Sequence, residues 1–152
     1  MRESQKQEVL EAIQSLYQAH EEIKEALIQK NLILVQNMLA ECQEFAVSLG
    51  ESIEKMEGEG HVTVSYIEAY CEALYHIHTT LENSKFNENN IYKKVKKQLL
   101  KIENNAKNDI NVRKEVVFLP YKASMWDSLE SVWKAADADE QCDAYVVPIP
   151  YL

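Results

Sequence analysis

Apolar and polar positions alternate with the period of an α-helix through the first two-thirds of the chain. From Val9 onward, apolar side chains and one histidine recur at spacings of four and three, which places them on one helix face. This first stripe consists of Val9, Ile13, Leu16, His20, Ile23 and Leu27. Ser4 and Gln7 fit a capping box, in which each side chain bonds a backbone amide at the helix start. The pattern therefore predicts a long helix that begins near Ser4 and ends near Lys30.

A second helix is expected after a turn at Lys30 and Asn31, where the apolar pattern loses its phase and Asn31 can cap a new helix. Its predicted stripe consists of Val35, Met38, Cys42, Phe45, Leu49, Ile53 and Met56. Gly58 and Gly60 should end this helix, because glycine readily adopts the left-handed terminal conformation. Two long helices joined by a short turn predict an antiparallel hairpin.

Two further helices are expected, separated by a polar loop over residues 82–90. Ser65 and Glu68 offer a capping box for the third helix. Its predicted stripe consists of Ile67, Cys71, Leu74, His78 and Leu81. The predicted apolar stripe of the fourth helix consists of Tyr92, Val95, Leu99, Ile102, Ala106 and Ile110. On the opposite face of that helix lie Lys93, Lys94, Lys96, Lys97, Lys101 and Lys107.

The period changes after Glu115. Residues 116–119 are a short apolar run closed by Pro120, residues 124–136 have helical spacing, and residues 144–149 form a second apolar run. A strand, a helix and a strand over this distance predict a parallel, right-handed βαβ unit. Two strands are not stable alone, and a parallel sheet needs cover on both faces. We therefore expect further strands after residue 152, or strands from another chain.

The predicted fold class is mainly α. An antiparallel bundle of four long helices occupies residues 1–112, and an incomplete Rossmann-like βαβ unit occupies residues 113–152. The net charge of −9 is distributed unevenly along this plan. Residues 1–84 carry a net charge of −10, residues 85–114 carry +6, and residues 115–152 carry −5. Since the basic segment can dock onto its own acidic neighbours, the pattern does not by itself indicate nucleic acid.

The amino-terminal residues enter a polar amphipathic pattern directly, without an apolar signal core, and no apolar stretch reaches membrane-spanning length. The three cysteines are far apart in the sequence and form no CxxC pair; they are Cys42, Cys71 and Cys142. Reduced, buried thiols are the expected state. The predicted location is the cytoplasm, with the inner face of the membrane as a more specific alternative. No cofactor is predicted.

The histidines provide little support for a metal site. His76 and His78 are two residues apart, so on a helix they point about 200° away from each other and cannot chelate one ion. His20 and His78 both fall on predicted stripes, which favours core histidines with hydrogen-bond partners; a buried pH-sensitive pair is the sharper alternative. No Glu-x-x-His occurs, which excludes the di-iron carboxylate pattern. The glycine-rich phosphate loops and the GxSxG motif are also absent from the sequence.

The lysine face of the fourth helix is a candidate binding surface. Lys93, Lys94, Lys97 and Lys101 could bind an anionic polymer, phosphates or a membrane surface. A solvated face that balances the acidic helices explains the same pattern at least as well.

A second candidate is the loop that follows the first strand, with Tyr121, Lys122 and Ser124. Open α/β sheets bind ligands at the carboxyl ends of their strands. The free amides at the following helix start and the Lys122 ammonium would suit an anionic group. The alternative is that Ser124 only caps the helix and Lys122 only faces solvent.

The same region carries a resemblance. Residues 114–133, KEVVFLPYKASMWDSLESVW, resemble the opening of the catalytic region in bacterial CDP-glycerol glycerophosphotransferase-like proteins. Residues 142–151, CDAYVVPIPY, resemble the next strand of those proteins. The helical stretch, including residues 57–60 and 62–66, is similar to the amino-terminal extension of some members.

The resemblance implies a role in teichoic acid synthesis, in which family members transfer glycerol phosphate from CDP-glycerol to a growing polymer. It also implies a catalytic region with two Rossmann-like halves of the glycosyltransferase-B type, of which the first faces the acceptor. The family's donor-site and catalytic histidines lie beyond residue 152, and no histidine of this chain matches them. The transferable region is the acceptor-side loop with Tyr121, Lys122 and Ser124. The chain is therefore expected to be a non-catalytic amino-terminal portion that is inactive alone.

A hypothesis of a different class is a stand-alone helical interaction or oligomerisation module without enzymatic activity. The partners predicted under either hypothesis are other copies of the chain, bound through the helices or through the unpaired βαβ unit. A peripheral contact between the lysine face and an anionic membrane is a third interpretation, and nucleic acid is not predicted.

Overall fold

The computed structural model describes residues 1–82, 86–118, 123–138 and 142–146. Their elements, in chain order, are α1 (Glu3–Ile28), α2 (Leu32–Glu57), α3 (Val62–Glu82), α4 (Glu88–Asp109), β1 (Lys114–Phe118), α5 (Ala123–Ala138) and β2 (Cys142–Val146). The chain divides into two compact units. Residues 6–110 form one unit, and residues 1–5 together with 111–152 form the other. The predicted mainly helical fold with four long, packed helices is confirmed.

Contacts between side chains give the directions of the helices in the bundle. The Gln14 amide of α1 donates to Glu103 of α4 at 2.9 Å, and Tyr92 of α4 donates to Glu21 of α1. The later residue of α1 thus contacts the earlier residue of α4. The two helices are therefore antiparallel.

Helix α3 is antiparallel to both of its neighbours. The Thr63 hydroxyl at its start donates to Asn105 near the end of α4 at 2.6 Å. On the other side, a Cβ at Gly50 of α2 would lie 3.5 Å from a methyl carbon of Ile67, whereas Cys71 lies next to Gln43. The bundle is therefore an up-down arrangement whose core lies among the four helices.

The predicted stripe of α1 is confirmed, because all six of its residues are buried. Ala26 joins them on the same face. The predicted capping box is wrong. The helix begins at Glu3, so Ser4 lies inside the first turn, and the Arg2 amide donates to the Gln5 side chain at 2.8 Å instead.

The predicted stripe of α2 is partly wrong. Met38 and Met56 are half-buried and Phe45 is 43% exposed, whereas Leu39 and Ala46 are buried. The buried positions of the helix are Val35, Leu39, Cys42, Ala46, Leu49, Gly50 and Ile53. Apart from Gly50, they alternate steps of four and three, as in α1. The prediction selected the larger side chains and so placed part of the stripe one residue away from the buried face.

The predicted ends of α2 are confirmed. The Asn31 side chain accepts a hydrogen bond from the Leu34 amide at 3.3 Å, which satisfies a donor that a helix start leaves free. Gly58 follows the last helical residue with a φ of 90°, a left-handed value that side chains with a Cβ rarely adopt.

Helix α3 begins four residues earlier than the predicted cap at Ser65 implies. Ser65 lies inside its first turn and donates to the Val62 carbonyl at 2.6 Å, so the capping box with Glu68 is wrong. His61 takes the capping role, because its Nδ1 accepts from the Thr63 amide at 3.1 Å.

The stripe of α3 also differs from the prediction. Tyr70, Ala73 and Ile77 are buried, whereas Cys71 and His78 are only half-buried. The predicted positions that are buried are Ile67, Leu74 and Leu81. In α4 the prediction is closer. Five of its six stripe residues are buried, namely Val95, Leu99, Ile102, Ala106 and Ile110.

The strands of the second unit pair in parallel. Lys114 lies opposite Cys142 and Phe118 lies opposite Val146, and α5 connects the two strands. The assignment of this segment to a Rossmann-like domain stays a prediction. Beside the pair, the Arg113 guanidinium donates to the Asp143 carboxylate, with 3.1 Å between Nε and Oδ1.

We expect Arg113→Gln to raise the pKa of Asp143. The hydrogen bond from Arg113 favours the ionised carboxylate and holds this pKa below its ordinary value. Carbon-detected NMR titration of the Asp143 carboxyl measures the shift directly. Lys134→Gln, which removes an exposed lysine of α5 that pairs with Glu130, is the matched control and should leave Asp143 unchanged. An unaltered Asp143 titration in Arg113→Gln would show that the pair does not form.

Candidate functional site

The predicted lysine face lies on the outer side of α4. Lys93, Lys94, Lys97 and Lys101 are all exposed, and they are called the basic face below. Among the described residues, none of these four lysines pairs with a carboxylate. The exposed residues on or next to the same arc of the helix also include Asn89, Asn90, Lys96, Leu100, Asn104, Lys107 and Asn108. The basic face is thus a continuous polar and cationic surface with one exposed leucine.

Helices α1 and α2 present the opposite charge. Their exposed glutamates include Glu8, Glu11, Glu22, Glu25, Glu41, Glu44 and Glu51. These seven carboxylates also have no cationic partner within the part of the chain that the structure describes. Among those residues, unpaired negative charge is therefore concentrated on α1 and α2, and unpaired positive charge on α4.

A groove of about 200 Å³ lies between α1 and α2, within the acidic surface. Apolar side chains and a thiol form much of its lining, and Glu22 and Glu41 also border it. The uncharged lining residues include Leu16, Ala19, Met38, Cys42 and Phe45. Phe45 faces this groove because the buried stripe of α2 runs through Ala46 instead. The groove thus follows from the phase of α2, which the sequence prediction did not capture.

A buried polar pair joins α1 to α3. His20 is 1% exposed and Tyr70 is fully buried, and 2.6 Å separates His20 Nε2 from the Tyr70 hydroxyl. The two rings are stacked with 5.7 Å between their centroids. The other ring nitrogen of His20, Nδ1, is buried without a hydrogen-bond partner among the described residues.

Burial holds the ionisable groups of this cluster in their neutral forms. It lowers the pKa of His20 to about 4. It raises the pKa of Tyr70, and it raises the pKa of the Cys42 thiol to about 11. A protonated thiol is a poor nucleophile and a poor metal ligand. The cluster is therefore suited to holding α1, α2 and α3 together, and not to nucleophilic chemistry.

The predictions for the other histidines have mixed outcomes. His20 is a core histidine with a hydrogen-bond partner, as predicted, but the side chain of His78 is 40% exposed, so a buried His20–His78 pair is wrong. His76 and His78 each lie beside a glutamate one helical turn away, at 3.7 Å and 3.8 Å. Within the described ranges, no three histidine, cysteine or acidic side chains are grouped to hold a metal ion.

The acceptor-side loop falls largely outside the described residues. Tyr121 and Lys122 are not among them, and Ser124 is described only as a backbone position in the first turn of α5. The predicted role of these three residues therefore stays a prediction.

None of the described helices contains an apolar stretch that could cross a bilayer. A scan against protein-family models, a search of curated proteins and a search of solved structures each found no match. The resemblance to CDP-glycerol glycerophosphotransferase-like proteins therefore rests on the quoted residues alone.

Proposed function

We propose that this chain is the amino-terminal, non-catalytic portion of a CDP-glycerol glycerophosphotransferase-like protein of teichoic acid synthesis. The observation that supports the proposal is the parallel pairing of β1 with β2 across α5. The two segments that carry the resemblance cover these elements. In the resembling proteins, such a unit opens the Rossmann-like half that faces the acceptor. We place this function in the cytoplasm, at the inner face of the membrane.

Under this proposal, the loop after β1 contacts the acceptor. In a parallel sheet, this loop lies at the carboxyl end of the strand and leads into a helix, α5, whose first amides have no partner within the helix. A phosphodiester of the acceptor would accept hydrogen bonds from those amides and from the Lys122 ammonium. Tyr121 and Ser124 would complete the contact.

The bundle would serve as a scaffold. The side chains whose pKa values are shifted most, those of His20, Tyr70 and Cys42, are all buried and held neutral. This supports a structural role for the bundle core. Binding of the nucleotide donor would belong to the second Rossmann-like half of the resembling proteins.

We expect the 152-residue protein to bind a short poly(glycerol phosphate) oligomer but not CDP-glycerol. Lys122→Ala should weaken acceptor binding by about tenfold, because a hydrogen bond to a charged group contributes about 1.5–3 kcal/mol. Titration of the isotope-labelled protein, followed by NMR, would report both affinities and would locate the shifts at residues 120–125. Lys134→Ala is the matched control and should bind like the wild type. Binding of CDP-glycerol, or wild-type acceptor affinity in Lys122→Ala, would contradict the proposal.

A second function, a stand-alone helical interaction module, is supported by a different observation. The bundle carries separate basic and acidic surfaces, and their charged side chains have no ion-pair partners among the residues that the structure describes. Light scattering of the full chain beside a chain of residues 1–112 distinguishes the two functions. If both chains form the same discrete assembly, the helices hold the interface and the module is favoured. If only the full chain associates, the strand unit is responsible, as expected for part of a larger sheet.

A further inference from the structure

We infer that the basic face of α4 in one copy of this chain docks into the α1–α2 groove of a second copy. This inference rests on the second proposed function, the helical interaction module, and names the two surfaces and the partner that the module would use. The observations behind it are two surfaces of the bundle that are opposite in charge and that both expose apolar side chains.

The first match is electrostatic. Among the described residues, the four lysines of the basic face have no carboxylate partner, and Glu22 and Glu41 at the groove have no cationic partner. The lysines lie on the outer side of α4 and the groove lies between α1 and α2, and no ion pair joins the two surfaces among the described residues of one copy. Contact between two copies would bring opposite charges together and would favour rapid encounter.

The second match is apolar. Leu100 is 47% exposed at one edge of the basic face, where Lys97 lies one turn away on the helix and Lys101 follows in the sequence. The groove offers an apolar lining in which Phe45 is 43% exposed, and its volume of about 200 Å³ can accept an aliphatic side chain. Leu100 would therefore enter the groove while the flanking lysines reach Glu22 and Glu41. Burial of both exposed apolar surfaces adds to the attraction.

Other partners explain only half of these features. An anionic membrane or a polyanion would use the basic face but would leave the acidic groove unoccupied. A basic helix of another protein would use the groove but not the basic face. A second copy uses both surfaces in one kind of contact, which either closes reciprocally as a two-fold dimer or continues from head to tail.

Charge reversal in the full chain tests the inference. One variant carries Lys97→Glu with Lys101→Glu, and the other carries Glu22→Lys with Glu41→Lys. We expect wild type to associate at low salt in sedimentation velocity, and each variant alone to associate roughly tenfold more weakly. An equimolar mixture of the two variants should regain association, because the reversed face of one matches the reversed groove of the other.

Lys30→Glu with Lys55→Glu is the control, since it changes the net charge as much as the first variant but alters two exposed lysines that neither belong to the basic face nor line the groove. It should associate like the wild type. Circular dichroism would confirm that each variant is folded. Salt should weaken wild-type association, because the Debye length falls from about 10 Å at 0.1 M to about 3 Å at 1 M ionic strength.

Three results would overturn the inference. The first is a wild type that stays monomeric, including the case in which it binds phosphatidylglycerol vesicles through the basic face. The second is association that neither salt nor any of the variants alters, which would assign the contact to the strand unit. The third is a mixture of variants that associates no better than either variant alone.

Discussion

Leu39→Ala should destabilise the bundle by about 2–5 kcal/mol, the range found when a buried leucine is truncated and leaves a cavity. Leu39 is 1% exposed and lies on the buried face of α2. Met38, its neighbour in the chain, is only half-buried and borders the α1–α2 groove. Met38→Ala should therefore cost less than about 1 kcal/mol, since its side chain is already partly in water. Urea unfolding followed by circular dichroism measures both changes.

The comparison of these two variants tests the phase of α2. If Met38→Ala costs as much as Leu39→Ala, the helix is rotated and Met38 belongs to the core after all. The α1–α2 groove would then lose part of its lining. Phe45→Ala provides an independent check, because Phe45 is 43% exposed and its loss should also be small.

The largest expected pH effect comes from His20. Its pKa in the folded chain is about 4, below the ordinary value of 6.5, because burial disfavours the charged imidazolium. The unfolded chain therefore binds a proton at a higher pH than the folded chain does. The stability that neutral His20 contributes is fully present above pH 6.5 and is lost as the pH falls to about 4. This shift corresponds to about 3 kcal/mol of unfolding free energy at about 1.36 kcal/mol per pKa unit.

We expect the unfolding free energy of His20→Gln to fall less than that of wild type between pH 7 and pH 4, by about this amount. Gln18→Ala, which removes an exposed side chain of α1 without an ionisable group, is the control and should follow the wild-type pH dependence. The carboxylates titrate in all three proteins, so the difference between the curves isolates His20. Parallel curves for His20→Gln and wild type would show that His20 is not held neutral in the core.

The local sequence patterns correctly predicted features that depend on the residues of a single helix. The α1 stripe, the Asn31 cap and the end at Gly58 all follow from spacing and residue type. The predicted α2 stripe was wrong at Phe45 and Ala46. The large side chain of Phe45 suggested a core position, but the phase of the helix buries Ala46 instead. An alanine can be a core residue when its Cβ already lies at the helix contact.

Features that depend on the packing of two helices could not be predicted from the local sequence patterns. His20 and Tyr70 are fifty residues apart, and nothing in either local pattern indicates that they pair. In the same way, the early start of α3 accompanies a hydrogen bond between Thr63 and Asn105 of α4. The basic face could be predicted because it is a property of one helix. The groove could not, since it requires the relative placement of α1 and α2.

The register of β1 against β2 is the most direct test of the proposed function, because their parallel pairing is the observation on which that function rests. Cross-strand nuclear Overhauser contacts in the isotope-labelled full chain measure it without substitutions. We expect parallel contacts that place Val116 opposite Ala144 and Phe118 opposite Val146. Antiparallel contacts, or no contacts between these two segments, would contradict the assignment of the segment to the opening of a Rossmann-like domain.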